Sequence, residues 1–169
     1  MFKTIDEALN FIESQRMKRS FKEFQEIIKR YHLPVDLKNV IHVSGTNGKG
    51  SVGAYLLCIL ASAGYKVGRL SSPAVFEENE FAQIMYYKDD YILENIPLDY
   101  LQDKTNYLTQ IKLQGKPSGF EVQVAISLLY FKEKKCDIVI IETGMGGTLD
   151  ATNVFDNTLC DVITPISMD

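Results

Sequence analysis

The residues best suited to chemistry are Ser44-Gly45-Thr46-Asn47-Gly48-Lys49-Gly50-Ser51, where a lysine stands between two glycines and a hydroxyl follows. Small residues let a chain curl until successive N–H groups converge on an anion. A helix that starts at the same point adds the partial positive charge of its N-terminus. A lysine in such a loop reaches the β and γ phosphates of a nucleotide, and a hydroxyl meets Mg²⁺. The pattern departs from the common phosphate loop at two places. Val43 holds the first glycine position, and Gly50 rather than Ser or Thr follows Lys49, which displaces Ser51 by one place. A plain βα turn would use the glycines for backbone freedom alone and would need neither the lysine nor the hydroxyl.

A second group lies a hundred residues on. The apolar run Ile138-Val139-Ile140-Ile141 ends on Glu142, and Thr143-Gly144-Met145-Gly146-Gly147 follows. A buried parallel strand would deliver Glu142 to the carboxyl edge of the sheet, where α/β folds bind ligands. Mg²⁺ prefers oxygen and keeps several waters, so one carboxylate with one or two hydroxyls is a sufficient protein supply. The glycines let the loop pass close to a ligand or simply form a tight turn.

The elements that must position these groups are also readable. Val40-Ile41-His42-Val43 is a strand, and the apolar residues after Lys49 make a helix that ends at Gly64. Lys66 to Leu70 is a short strand, so strand–helix–strand implies a parallel sheet. Ala82 to Tyr87 and Tyr91 to Ile96 flank Lys88-Asp89-Asp90 as a hairpin, after an acidic loop with Glu77, Glu78 and Glu80. Tyr86, Tyr87 and Tyr91 are ordinary strand aromatics or a stacking surface. Thr4 to Glu7 and Ser20 to Glu23 are capping boxes of two N-terminal helices; the second carries Phe21, Phe24, Ile27, Ile28 and Tyr31 as its stripe. Arg16, Lys18, Arg19 and Lys22 between them are a solvated face or an anion contact. Residues 97–114 read as a helix, Gly115-Lys116-Pro117 as a turn, and Ser118 to Glu121 as the cap of a helix to about Lys134. A last strand is expected from Asp161 to Ser167. The predicted fold class is α/β: a P-loop-like, mostly parallel sheet flanked by helices.

The 169 residues suit one domain or a large piece of one, and 46% hydrophobic content is enough for a core. The net charge of −4 argues against general nucleic-acid binding. No membrane span or signal peptide is visible. Cys58, Cys136 and Cys160 are odd in number and lack metal-site spacing, so they are expected reduced in a core, and the protein cytoplasmic. His32 reads as a surface residue, and His42 as a strand residue whose role is structural more often than functional.

His42 to Ser51, Ser71-Ser72-Pro73, Phe120-Glu121, and Glu142-Thr143-Gly144-Met145-Gly146-Gly147-Thr148-Leu149-Asp150-Ala151-Thr152-Asn153 together closely resemble folylpolyglutamate and dihydrofolate synthases, of the wider group of Mur-type amide ligases. The resemblance spans nearly the whole chain in the family's order. It implies an ATP-dependent ligase that activates the carboxylate of dihydropteroate or of a folate's glutamate as an acyl phosphate, which the amine of glutamate then attacks. Thr46, Asn47, Gly48, Lys49, Gly50 and Ser51 would hold the triphosphate of ATP. Ser72 and Glu142 match the family's Mg²⁺ ligands, and Lys49 and Glu142 are the expected catalytic groups. Rival readings are a Mur-type ligase with another substrate and a nucleotide-binding module without catalysis.

Ala74 stands where many members have His, and Thr148 where many have Arg. Family members are more than twice this long, and the chain stops at Asp169, one residue before an expected metal-binding His. The whole chain is therefore expected to be a truncated N-terminal ATP-binding domain, without the C-terminal glutamate-binding domain and inactive alone. The full-length form is expected to be a monomer, and the fragment to self-associate through uncovered apolar surface.

Overall fold

The computed structural model describes residues 1–14, 24–26, 28, 32–110 and 118–168. The basic cluster Arg16, Lys18, Arg19 and Lys22 lies outside the described residues. So do the capping box at residues 20–23, Ile27 and Tyr31 of the stripe, the turn at 115–117 and the last residues of the 97–114 helix. Phe24 and Ile28 of the stripe are buried.

In chain order the elements are α1 (Ile5–Ser14), β1 (Val40–Ser44), α2 (Lys49–Ser62), β2 (Val67–Leu70), β3 (Ala82–Tyr87), β4 (Tyr91–Asn95), α3 (Leu98–Gln110), α4 (Gly119–Glu133), β5 (Ile138–Glu142) and β6 (Cys160–Ile163). The strands form one sheet in the order β4-β3-β2-β5-β1-β6. β2, β5, β1 and β6 run parallel, and the β3–β4 hairpin adds to β2 antiparallel. The mostly parallel α/β sheet flanked by helices is thus the observed architecture.

Successive strand residues face opposite sides of a sheet, and here both sides are covered. Val40, Leu70, Val139 and Ile141 pack with α1, α3 and α4. Ile41, Val43, Val67, Ile138 and Ile140 pack with Leu57 and Ala61 of α2. That double burial explains why β1 and β5 are continuous apolar runs rather than alternating ones. Each such aliphatic side chain contributes about 1.5–3 kcal/mol on leaving water. The same parity sends Arg69 and Glu142 toward α2 and His42 toward the opposite face.

α4 opens with a full capping box: Ser118 Oγ accepts from Glu121 N–H at 3.2 Å, and the Glu121 carboxylate accepts from Ser118 N–H at 2.6 Å. The box at α1 is half made. Thr4 Oγ1 accepts from Glu7 N–H, but the Glu7 carboxylate reaches Lys3 N–H, one residue earlier than expected. The hairpin tyrosines behave as strand aromatics: Tyr86 donates to Glu94, and Tyr87 meets Tyr91 edge-on.

Two expectations need correction. Cys58 and Cys160 are exposed and only Cys136 is half-buried, because position 58 falls on the outer face of α2 and β6 is an edge strand; all three are free thiols. The last strand is also shorter than Asp161 to Ser167. It ends at Ile163, where the chain turns along the phosphate loop and Pro165 brings no N–H to a ladder. Among the described residues no helix is long and apolar enough to cross a membrane.

Candidate active site

The carboxyl ends of β1, β5 and β6 and the start of α2 meet at one edge of the sheet. β1 runs into Gly45 at φ +130°, and a Cβ there would lie 2.0 Å from Thr164 Oγ1. Gly48 is the N-cap of α2 in the left-handed region (φ 89°, ψ 0°), and among the described residues no side chain caps that helix. The first-turn N–H groups of α2 therefore lack partners within the helix. With the helix's partial charge they make an anion-binding end.

Lys49 occupies the first helical position. Its ammonium folds back over the loop and donates to Gly45 O at 2.9 Å and Thr46 O at 3.4 Å. The Thr46 and Asn47 N–H groups donate to Pro165 O at 3.1 and 3.4 Å. Thr46 Oγ1 donates to Ser167 O and accepts from Ser167 N–H, both at 3.1 Å. The strand exit after β6 is thus laced to the phosphate loop. Thr46, Gly48, Lys49 and Gly50 gather at this edge; Asn47 and Ser51 are exposed beside it.

The second glycine loop is held by Asp150, which is buried. Its carboxylate accepts from Met145 N–H at 2.8 Å, Thr152 N–H at 2.9 Å and Thr152 Oγ1–H at 2.6 Å. The Thr152 hydroxyl has a single proton, which it gives to Asp150, so it must accept from His42 Nε2–H at 2.8 Å. This sets the tautomer of His42. Burial holds its pKa below 6.5, with Asp161 and Asp150 pulling the other way. His42 is therefore the post on which the second loop rests. A cavity of about 710 Å³ opens between the two loops, lined by His42, Gly45, Lys49, Gly146, Asn153 and Asp161 among others.

Glu142 ends β5 beneath the start of α2. It is buried, and its Oε2 finds no hydrogen-bond partner among the described residues. Burial raises its pKa, and Arg69 and Lys49 oppose that shift. Oε2 lies 3.8 Å from the point a Cβ on Gly50 would occupy, so the carboxylate touches the phosphate loop from below. No cluster of three or more His, Cys, Asp or Glu able to hold a metal occurs among the described residues.

Ser72 lies two residues beyond Leu70, which pairs with Ile141, so Ser72 and Glu142 leave adjacent strand ends. Ser72 also lines a separate cavity of about 540 Å³ walled by Leu9, Ile12, Pro73, Phe76 and Phe81. The structure brings Glu142 to the phosphate loop and sets Ser72 between that strand edge and this second cavity. Sequence reasoning did not single out Arg69, whose Nη2 donates to Gly50 O at 3.0 Å, or the anchoring role of Asp150. The signal for Arg69 was Gly53, a glycine inside a helix. For Asp150 it was an acidic residue two places before Thr152.

No family model matches the sequence. The chain is 34% identical over 182 aligned residues to the dihydrofolate synthase/folylpolyglutamate synthase of Bacillus subtilis, covering 100% of this chain and 40% of that protein. Among solved structures it resembles an FPGS–AMPPCP–folate complex (TM-score 0.85, 27% identity, 98% of this chain and 41% of that one). It likewise resembles Escherichia coli FolC in complex with ADP without folate substrate (TM-score 0.80, 28% identity, 98% and 38%). The chain thus spans about 40% of the length of these relatives.

Proposed function

For a chain that belongs to the dihydrofolate synthase/folylpolyglutamate synthase family, we propose the nucleotide-handling part of an ATP-dependent ligase that joins L-glutamate to dihydropteroate or a folate. The observation that carries this reading is the uncapped N-terminus of α2 with Lys49 beside it, facing a cavity between two glycine loops. The first-turn amides and Lys49 would bind the β and γ phosphates of ATP, together with Thr46, Asn47, Gly48, Gly50 and Ser51. Glu142 would hold Mg²⁺, and its unpartnered buried oxygen beside Gly50 fits that role. Ser72 would supply a hydroxyl from the neighbouring strand end. Bound Mg²⁺ would offset charge on the phosphoryl group in transfer.

The division of labour follows from the two cavities. The one between the glycine loops takes the triphosphate. The other, with Phe76 and Phe81 in its wall, Ser72 at its rim and Glu13, Glu77 and Glu78 also lining it, offers an aromatic wall to a flat aromatic substrate whose carboxylate must approach the γ-phosphate. Transfer of the phosphoryl group to that carboxylate gives an acyl phosphate and ADP. Attack by the glutamate amine then forms the amide and releases phosphate. Holding the reactants in line and excluding water is most of the catalysis. We assign this chain the first half of that task.

The experiment is direct. The 169-residue chain is incubated with ATP, Mg²⁺, glutamate and either dihydropteroate or tetrahydrofolate; nucleotide binding is followed by calorimetry and glutamylated product by mass. Binding without product is expected. No ATP binding at millimolar nucleotide would overturn the phosphate-site reading, and robust product would overturn the division of labour.

A further inference from the structure

Arg69 is placed where a cation is expensive. Its strand face is shared with Val67, Ile138, Ile140, Ile41 and Val43, all packed under α2, and burial works against its charge. It also lies behind the N-terminus of α2, whose partial charge has the same sign. Its contacts explain why it stays. Nη2 donates to Gly50 O at 3.0 Å in the first turn of α2. A Cβ on Gly53 would stand 3.1 Å from Nε, so close that the guanidinium, held at Gly50 O, would have to give by a few tenths of an ångström. A Cβ on Gly50 would lie 3.8 Å from both Arg69 Nη2 and Glu142 Oε2. Cation and carboxylate thus flank the same glycine, yet they form no direct ion pair; Nε and Oε2 both lack partners among the described residues. Two glycines near the start of a helix run against helix propensity, and both adjoin this one side chain.

We propose that Arg69 is a positioning residue of the phosphate site. It locks the first turn of α2 through the Gly50 carbonyl and stands as the fixed counter-charge of Glu142 behind the loop. Gly50 and Gly53 supply the space that admits it. A half-buried cation there makes physical sense in a site that gathers anions, first the Glu142 carboxylate and then a polyphosphate. The proposal rests on the nucleotide reading above.

The test uses the 169-residue chain and four variants: Arg69→Leu, Arg69→Lys, Gly53→Ala and the Gly53→Ala/Arg69→Leu double. Melting temperature is read without ligand, and dissociation constants for β,γ-methylene-ATP are read with and without Mg²⁺. Gly53→Ala should lower the melting temperature while Arg69 is present and raise it in the Arg69→Leu background, where helix propensity alone decides. Arg69→Leu should weaken Mg²⁺-nucleotide binding by about tenfold, because the first turn of α2 loses its tether at Gly50 O and Glu142 loses its counter-charge. Arg69→Lys should fall between, keeping the charge without the fork. A merely structural arginine would change the melting temperature and leave the dissociation constant in place. Equal effects of Gly53→Ala in both backgrounds, or nucleotide binding by Arg69→Leu within twofold of wild type, would overturn the role given to Arg69. Failure of the wild-type chain itself to bind nucleotide would instead overturn the functional reading, and this role with it.

Discussion

Replacing Asp150 should loosen the second glycine loop, and the geometry sets the size of the effect. Its two oxygens accept three hydrogen bonds, from Met145 N–H, Thr152 N–H and the Thr152 hydroxyl, at 2.8, 2.9 and 2.6 Å. Asp150→Asn keeps one oxygen, which can serve both Thr152 donors. The new amide NH₂ then faces the Met145 N–H, donor against donor. One bond to a charged acceptor is lost and one partly buried donor faces another donor, a cost of about 2 kcal/mol. Asp150→Ala removes all three bonds and should cost about 4 kcal/mol, since the partners can recover some water. For a chain of this size the Asn variant should melt about 5 °C lower. Urea unfolding of both variants, with nucleotide titration of the folded material, measures the two consequences separately. The loop that lines the cavity should bind nucleotide less tightly in both. If both variants unfold within about 0.5 kcal/mol of wild type, the range of ordinary surface substitutions, the carboxylate does not anchor the loop and the reasoning fails.

Lys49→Ala removes an ammonium whose present partners, Gly45 O and Thr46 O, lie in its own half-exposed loop. The fold should survive while ATP affinity drops about 30-fold, equivalent to about 2 kcal/mol; a loss under threefold in an equilibrium binding assay would remove the lysine from the phosphate site. Glu142→Gln should separate stability from function. Burial raises the Glu142 pKa above its ordinary 4.5, so the fold favours the protonated form. The penalty for the charge is absent below the unfolded value and complete above the raised folded value. The Gln variant should therefore melt higher than wild type at neutral pH, with the difference closing in acid, and should lose the Mg²⁺-dependent part of nucleotide binding. Melting curves from acid to neutral pH, with and without Mg²⁺, check both signs.

The parts of this fold legible in the sequence are those fixed by short-range pattern. Val40 to Val43 and Ile138 to Ile141 announce strands buried on two faces, Ser118 and Glu121 announce a helix start, and Gly48-Lys49 announces the loop between strand and helix. Strand order was not legible, because β1 lies between β5 and β6 through contacts made across the whole chain. Cys58 and Cys160 were misplaced for the same reason: cysteine is commonly buried, but helix phase and edge position decide each case. The shortness of β6 depended on Thr164 N–H turning to Ser44 O and Pro165 O receiving the loop amides, which no local pattern encodes. Arg69 escaped notice because an arginine in a strand ordinarily reads as surface. Only its neighbours show it half-buried behind the loop, across Gly50 from Glu142.

The strand order also has a consequence in time. Among the described residues β1 pairs with β5 and β6, at Val40↔Val139 and Ile41↔Cys160, and both neighbours are made about a hundred residues after it. At ribosomal rates of about 5–20 residues per second, that delay is about 5–20 s. During it the Val40 to Val43 segment and the glycine loop attached to it have no sheet to join, although the β3–β4 hairpin can close locally. Pairings this distant in sequence pay loop-closure entropy before they gain contacts. The strand that carries the phosphate loop therefore cannot take its place in the sheet, nor the loop meet its second loop, before β5 has been made.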